Sequence, residues 1–366
     1  MIAAKINPQL RRALQFLDRT PLIDGHNDLA HVIRNDPQAG GDVATYNLAA
    51  RRATGDTDIP RLREGRVAAQ FWAAFVPPKE QQPASFALQQ IALVHRMMEI
   101  HSDRFILALR SGDVSHARRH GKIASFVTIE NGAALENRID ALNSFYGLGV
   151  RLMTLCHNST TDWCDSATDA PRHGGLSDFG RQVIVRMNEL GMIVDLAHVS
   201  DLVMHQAIDL SSTPVVFSHS NARALCDHPR NVPDDVLDMV PAKGALVMAT
   251  FVPDFILRRP KNSKGTPHGT LSQYCDQLDY LKSKVGPDCV GIGSDFFGGP
   301  QGDGLKDVSC FPHIFAELIG RGWSERDLKK LAGGNLLRVF RAVEKAATRG
   351  PKRRLGRSAF RRHQPR

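Results

Sequence analysis

Eight short apolar runs recur along this chain, with helix-like stretches between them. The runs are rich in β-branched residues and are continuously apolar, which is typical of parallel strands buried on both faces. The eight runs are PLIDGH (21–26), VAAQFWAAFV (67–76), IASFVTIE (123–130), VRLMTLCH (150–157), MIVDLAH (192–198), PVVFSH (214–219), ALVMATFV (245–252) and CVGIGSDF (289–296). Eight strands that alternate with helices predict an α/β fold, a (β/α)₈ TIM barrel with loop insertions at 31–65 and 254–273; an open doubly wound sheet is the alternative.

Two helices are marked by their capping residues. Ser177 and Gly191 enclose an amphipathic stretch, as an N-cap and a closing glycine do. A second helix begins at Ser324 with a Ser-x-x-Asp cap, and we expect the pair Gly333-Gly334 to divide it in two.

The basic charge of the chain is concentrated at one end. The formal net charge is +9, and residues 345–366 contain nine Lys or Arg and no acid, so residues 1–344 are neutral. We therefore expect a single barrel domain over 1–344 and a basic, disordered tail over 345–366. A solubilising role is favoured for the tail, and a weak contact with nucleic acid or an acidic partner is the alternative; the domain itself needs no nucleic acid.

Neither a secretion signal nor a membrane span is evident in the sequence. Charges interrupt the first twenty residues, and no apolar run approaches the roughly 20 residues that cross a bilayer. The sequence therefore predicts a cytoplasmic protein without membrane association. The six cysteines contain no C-x-x-C pair and are expected to be free thiols.

Six of the eight runs end in a side chain that binds metals or transfers protons. These side chains are His26 and Asp28, Glu130, His157, His198, His219 and Asp295. A barrel gathers the carboxyl ends of its strands on one face, so we expect the groups to meet there. A buried cluster of this kind needs a compensating cation.

The spacing of these residues suggests two metal ions. His26 and Asp28 are two residues apart and face the same side of a strand, where they can chelate one ion. His198 and His219 come from neighbouring strands and would hold a second ion, with an oxygen of Glu130 for each metal. Imidazole and carboxylate ligands favour zinc, and a bridged pair of metals activates a shared water. The sequence has neither the G-x-S-x-G of a serine hydrolase nor a Walker motif.

Nine motifs in order resemble the membrane (renal) dipeptidase family of zinc peptidases, which have amidohydrolase-type barrels. The motifs are IDGHND, TIENG, MTLCHN, GLSDFGRQVI, DLAHVS, VVFSHSNAR, RNVPDD, GIGSDF and GGNLLRVF, and they extend over about residues 20–342. The resemblance implies a binuclear zinc dipeptidase that hydrolyses dipeptides by attack of a metal-bridging hydroxide, with two Zn²⁺ per chain and a homodimeric assembly.

The resemblance also implies a role for each site residue. One zinc would bind His26 and Asp28, the other would bind His198 and His219, and Glu130 would bridge them. Three further residues would act on the substrate. His157 would contact the scissile carbonyl, Arg230 would bind the terminal carboxylate, and Asp295 would transfer the proton. From the residues alone, a surface ion pair with Asp234 or Asp235 would be the simpler role for Arg230.

The chain departs from the family pattern at two positions beside the site. Asn131 follows Glu130 where the family usually has glycine, and Phe297 replaces the second acid of the frequent SDFDG. Both are expected to reshape the pocket, so the preferred dipeptide and the chirality of its C-terminal residue are left open. Asp24, deeper in the first strand, is expected to orient the site without binding metal.

Two other functions compete with the dipeptidase hypothesis. A metal-dependent phosphoesterase or nuclease on the same barrel would suit the basic tail, but it would need several basic groups near the metals. A non-catalytic binding protein that keeps the fold is the third hypothesis.

Overall fold

Nine parallel strands form one sheet in residues 7–258 and 269–347, which the computed structural model describes. Their bounds are Leu22–Asn27 (β1), Val67–Phe75 (β2), Phe105–Leu107 (β3), Ile123–Glu130 (β4), Val150–Thr154 (β5), Ile193–Asp195 (β6), Val216–Phe217 (β7), Leu246–Ala249 (β8) and Val290–Ile292 (β9). Eight of them follow the order β1-β2-β4-β5-β6-β7-β8-β9, and each corresponds to one predicted run. The additional strand, β3, was not predicted; it pairs with the first half of β4, while β5 pairs with the second half.

The sheet closes on itself where β9 meets β1. Asn27 and Phe296 form a parallel bridge. The amide of Asp28 donates to the carbonyl of Phe296 at 3.1 Å, and the amide of Asp295 donates to the carbonyl of His26 at 3.3 Å. These contacts confirm the predicted barrel over the open sheet.

Helices surround the barrel and connect its strands. Their bounds are Pro8–Arg19 (α1), Leu29–Asn35 (α2), Val43–Tyr46 (α3), Ile59–Glu64 (α4), Pro83–Ile100 (α5), Asp113–Arg119 (α6), Ile139–Gly147 (α7), Asp178–Leu190 (α8), Asp201–Leu210 (α9), Asp234–Lys243 (α10), Pro253–Ile256 (α11), Leu271–Val285 (α12), Phe311–Gly320 (α13), Glu325–Lys329 (α14) and Asn335–Ala346 (α15). Short 3₁₀ turns lie at Gly132–Leu135 and Val308–Cys310.

The predicted helix ends are confirmed. Ser177 caps α8 by accepting from the amide of Gly180, and Gly191 ends that helix in the left-handed conformation. Ser324 caps α14, and a π turn over Lys330–Gly334 separates α14 from α15. A side chain at Gly333 would come within 2.6 Å of Ile23 in β1, so a glycine is needed where this turn packs against the barrel.

Apolar packing closes the amino-terminal end of the barrel and leaves the other end for polar groups. Inside the barrel, Phe126 packs between Phe71 and Phe340 of α15, with ring centroids 4.6 and 5.4 Å away. These residues belong to a buried cluster that also includes Leu152, Ile193 and other strand residues. The polar ends of the strands therefore meet at the carboxyl-terminal face, where barrel enzymes place their active sites.

Some expectations fall partly or wholly outside the described residues. Nearly all of the predicted basic tail lies there, from residue 348 onward, together with residues 259–268 of the second predicted insertion. Within the described part, no helix is both long and apolar enough to cross a membrane. All six cysteines are buried and free, as the sequence predicts.

Candidate metal centre

Glu130, the last residue of β4, lies at the centre of the predicted site. Its Oε1 is 3.0 Å from Nε2 of His198, 3.6 Å from Nε2 of His219 and 3.7 Å from Nε2 of His157. Its Oε2 is 3.6 Å from Nε2 of His26. A single carboxylate therefore faces four imidazoles from four different strands, as a bridging ligand would.

The end of β1 provides a second group of ligands. Nε2 of His26 lies 3.4 Å from Oδ2 of Asp28 and 3.9 Å from Oδ1 of Asp295. Asn27 turns away, as strand alternation predicts: its amide group donates to Thr57 and its oxygen caps the amide of Leu29. The structure thus brings together all seven of the metal- and proton-binding side chains that the sequence predicts at the strand ends.

The hydrogen bonds of two histidines leave their metal-binding nitrogens free of protons. Nδ1 of His198 faces Oδ1 of Asn158 at 3.0 Å, and Nδ1 of His219 faces Oγ of Ser218 at 2.7 Å, while that hydroxyl donates to Asp195. Both Nδ1 atoms must therefore donate, so both Nε2 atoms carry lone pairs. The two Nε2 atoms are 2.9 Å apart.

The donor set fits divalent metal ions. Two lone pairs at that separation, with a carboxylate beside them, repel one another unless a cation lies between them. Both ring nitrogens of His26 and Oδ1 of Asp28 are buried and have no hydrogen-bond partner among the described residues. The same part of the chain contains three overlapping sets of ligand atoms that each lie within 4.8 Å of one another: His26, Glu130 and His219; Glu130, His157 and His198; and His26, Asp28 and Asp295.

Burial and mutual repulsion shift the pKa values of the cluster. Burial, with the nearby Arg230 charge, holds the pKa values of His198 and His219 well below the usual range, so both are neutral. Burial and the charge of Glu130 raise the pKa of Asp28 to about 6. Burial, then the charges of Asp28 and Glu130, raise the pKa of Asp295 to about 8 despite the opposing effect of His26. Bound cations would favour the ionised carboxylates.

Two buried aspartates accept hydrogen bonds from serines that lie next to residues of the site. Asp24 of β1 accepts from the amide of Ser294 at 2.7 Å, from its hydroxyl at 2.6 Å and from Gln70 at 2.8 Å. These hydrogen bonds are consistent with the supporting role expected for Asp24, which stays a prediction. Asp195 of β6 accepts from the amide and hydroxyl of Ser218 at 2.8 and 2.6 Å. The role of Asp195 was missed in the sequence, although an acid inside the apolar run MIVDLAH was a signal for it.

Left-handed turns aim two of the site residues inward. His198 and Asp295 have φ values of 72° and 63°, in the region that non-glycine residues rarely adopt. Both follow strands of only three residues, β6 and β9. The predicted runs are therefore longer than the strands, because the chain leaves the ladder to present these side chains.

Arg230 lies inside the site and not on the surface. It is 2% exposed; Nη2 donates to the carbonyl of His219 at 3.3 Å, while Nε and Nη1 have no partner. Burial lowers its pKa. The alternative surface ion pair is wrong, since Asp235 pairs with His205 and Asp234 pairs with Lys284. Two buried, unpartnered donors are available for an anionic ligand.

A cavity of about 230 Å³ connects the metal-binding groups to Arg230. Its walls include Asp28, Glu130, His157, His198, Arg230 and Asp295, together with three phenylalanines, Phe75, Phe255 and Phe297. Of the two departures from the family pattern, Phe297 lines the cavity. Asn131 does not: its side chain donates to the carbonyl of Val76 and accepts from the amide of Ala133, which shapes the loop after β4.

Comparison with known proteins identifies the family of this chain. The sequence model of the membrane dipeptidases, peptidase family M19, matches residues 10–354. The chain belongs to the membrane dipeptidase family. Among the family's curated members, Dipeptidase 3 of Mus musculus is 37% identical over 92% of this chain and 68% of its own length. Dipeptidase ataJ of Aspergillus terreus is 40% identical over 94% of this chain and 89% of its own length.

Solved structures of membrane dipeptidases share the fold. The probable dipeptidase PvdM from Pseudomonas aeruginosa has a TM-score of 0.85 at 25% identity, over 93% of this chain and 100% of its own. A metallopeptidase from Rhodobacter sphaeroides, liganded with a phosphinate mimic of L-Ala-D-Ala, has a TM-score of 0.78 at 25% identity, over 88% and 99%. The expected family and barrel are confirmed, and with them a metal-dependent hydrolase that acts on dipeptides.

Proposed function

We propose that this chain is a binuclear zinc dipeptidase whose substrates lie between the metal-binding cluster and Arg230. The observation that carries the proposal is the pair of imidazole lone pairs 2.9 Å apart beside Glu130, joined by one cavity to a buried guanidinium without a carboxylate partner. The first arrangement requires cations, and the second fits a free carboxylate.

In the proposal, seven side chains have distinct roles. His26 and Asp28 would hold one zinc ion, His198 and His219 would hold the other, and Glu130 would contribute to both sites. Zinc ions bound there would supply an activated water as nucleophile at neutral pH. Asp295, whose Oδ1 lies 3.9 Å from Nε2 of His26, would accept the proton of that water and return it to the leaving amine. Neutral His157, whose Nδ1 has no partner, donates an N–H to the developing oxyanion.

Arg230 restricts the length of the substrate. Its planar guanidinium would pair with a C-terminal carboxylate in a bidentate manner, and since Arg230 lines the same cavity as the metal-binding groups, substrates with that carboxylate close to the scissile bond would be favoured. Among the described residues that line the cavity, Arg230 is the sole Lys or Arg. A phosphodiester substrate would need several cations there, so the phosphoesterase alternative is not favoured.

The test is a dipeptide panel assayed with protein of known zinc content. We expect about two zinc ions per chain, hydrolysis of dipeptides but not of the same dipeptides amidated at the C-terminus, and loss of activity in chelator. Pairs such as L-Ala-L-Ala and L-Ala-D-Ala measure the chirality preference. Hydrolysis of a phosphodiester but no dipeptide would overturn the proposal.

Two further predictions concern the protein in its cell. A cytoplasmic location without membrane association is tested by fractionation with a tagged full chain, where pelleting with membranes would contradict it. A homodimer is tested by light scattering at several concentrations, where a single-chain mass throughout would contradict it.

A further inference from the structure

The cavity has two chemically different ends. Arg230 and Phe255 follow β7 and β8, with the guanidinium carbon of Arg230 5.3 Å from the centre of the Phe255 ring. His31, Phe75 and Phe297 line the cavity from α2, the end of β2 and the loop after β9. Strands β9, β1 and β2 are neighbours in the closed barrel, so these three rings lie on the side away from β7. We call them the aromatic end.

Aromatic side chains form the wall of the cavity at this end. The ring of His31 meets the edge of Phe75, with centroids 4.9 Å apart, Phe75 also meets His157 at 4.8 Å, and Phe297 lines the same cavity. Among the described residues, no Lys or Arg lines this end. Such a wall favours burial of an apolar group and disfavours a charged one.

The backbone of Phe297 is strained to keep its ring in this wall. Its φ is 72°, in the left-handed region that Gly or Asn adopts at lower cost than a bulky aromatic residue. The amide of Phe297 donates to Oδ2 of Asp56 at 3.1 Å. Its ring lies against Gly55, where a Cβ atom would come within 3.2 Å of it. Strain of this kind, held by the surrounding loop, is common at residues of functional sites and supports a functional role for Phe297.

The direction of the substrate follows from the proposed function, on which this inference rests. With the C-terminal carboxylate on Arg230 and the scissile carbonyl at the metal ligands, the N-terminal residue extends beyond the cluster, toward β9, β1 and β2. Its side chain then meets the aromatic end.

We infer that Phe297 is a specificity-determining residue, which forms with Phe75 and His31 an apolar subsite for the side chain of the substrate's N-terminal residue. The preferred substrates are dipeptides that begin with a bulky apolar residue, such as Leu or Phe. Dipeptides that begin with Gly, Glu or Lys gain nothing from this wall.

The experiment compares four substrates with the same C-terminal residue: Leu-Ala, Gly-Ala, Glu-Ala and Lys-Ala. Because every substrate presents the same carboxylate to Arg230, the ratio of kcat/KM values reports on the N-terminal subsite alone. For the zinc-loaded wild type we expect Leu-Ala to exceed each of the others by at least about tenfold, the discrimination typical of an apolar pocket. In Phe297→Asn the ratio of Leu-Ala to Gly-Ala falls about tenfold, and in Phe297→Leu it falls less.

Two controls separate selectivity from damage to the fold. Asn tolerates the left-handed conformation, which offsets part of the packing lost with the Phe297 ring, so the variant stays folded in a thermal melt while selectivity falls. Phe255→Leu, at the opposite end of the cavity, leaves the Leu-Ala to Gly-Ala ratio as in the wild type. Phosphinate mimics of Leu-Ala and Gly-Ala give the same comparison by inhibition constants, without turnover.

The possible results distinguish this inference from the proposed function. A wild type that hydrolyses all four dipeptides at similar kcat/KM, or a Phe297→Asn variant with an unchanged ratio, overturns the inference and leaves the dipeptidase proposal intact. A wild type that hydrolyses none of a broader dipeptide panel overturns the proposed function first. A ratio that falls equally in Phe255→Leu shows that the wall does not act at the N-terminal residue.

Discussion

The two halves of the metal centre are built on the same plan but are supported differently. In each half a buried aspartate on one strand accepts the amide and hydroxyl of a serine on the neighbouring strand: Asp24 with Ser294, and Asp195 with Ser218. Each serine immediately precedes a site residue, Asp295 or His219. These hydrogen bonds join adjacent strand ends next to the proposed metal ligands.

The halves differ in how their imidazoles are held. His198 and His219 both have a partner for Nδ1, whereas neither nitrogen of His26 has one. Outer hydrogen bonds fix the tautomer and orientation of a metal-binding histidine and so raise affinity. If each half binds a metal ion as proposed, the His198–His219 half is already ordered for it, while the His26–Asp28 half depends on the metal itself for order.

The largest effect is expected for a change at Glu130, the carboxylate that faces both halves of the metal centre. Glu130→Gln eliminates the negative charge that faces His26 and His198, so both metal positions weaken. Zinc content falls toward zero, and kcat/KM falls by more than the roughly 10- to 100-fold that loss of an outer partner costs. Metal analysis after gel filtration and a dipeptide assay measure both. Full zinc content in this variant would contradict the bridging role.

The second-largest effect is a difference in zinc affinity between the two halves. If the His198–His219 half binds zinc more tightly, His219→Ala removes the tighter site and His26→Ala removes the weaker one. In a competition titration with a chromophoric chelator, the first zinc binds at least about tenfold more weakly in His219→Ala than in His26→Ala. Circular dichroism serves as the folding control. The reverse order would show that Nδ1 hydrogen bonds do not set affinity here.

A smaller effect tests the shared plan beneath the metals. Asp24→Asn and Asp195→Asn each place an amide where a carboxylate accepts from a serine amide and hydroxyl, so each loosens one half. We expect a loss of about 10- to 100-fold in kcat/KM for either variant, with weaker zinc binding in the corresponding half only. If Asp24→Asn left metal content and activity at wild-type values, its supporting role would be wrong.

The smallest effect concerns a buried carboxyl group outside the metal centre. Burial raises the pKa of Asp56 to about 6 from an unfolded value of 3.8. The folded state therefore favours the neutral form of Asp56. Below the unfolded pKa this carboxyl group costs no stability, and the free energy of unfolding decreases as the pH rises through about 6. Asp56→Asn keeps an acceptor for the Phe297 amide and removes this cost.

Chemical unfolding at two pH values measures the Asp56 effect. Since the side chain is partly exposed, we expect Asp56→Asn to gain about 1–2 kcal/mol at pH 8 and less at pH 5. Wild-type protein at each pH is the control. An equal gain at both pH values would mean that the Asp56 carboxyl group does not titrate between them and that its pKa does not control the stability in this range.

Much of the architecture was readable from local patterns. Eight apolar runs predicted eight of the nine strands, and Ser177, Gly191 and Ser324 marked helix ends, because strand burial and helix capping depend on nearby residues. The spacing of His26 and Asp28 predicted one ligand pair by strand alternation alone. The short strand β3 has only three residues and left no comparable pattern.

What the sequence by itself determined was the set of ligand types and the strand ends that carry them. Only the tertiary structure decided which partners those groups meet. Burial of Arg230 against the His219 carbonyl, the Asp195–Ser218 lock and the aromatic end around Phe297 all join residues from different loops and strands. Such contacts depend on barrel closure between β9 and β1, which brings residues over 250 positions apart into hydrogen bonds such as that of Ser294 with Asp24. Local periodicity carries no information about a contact of that range.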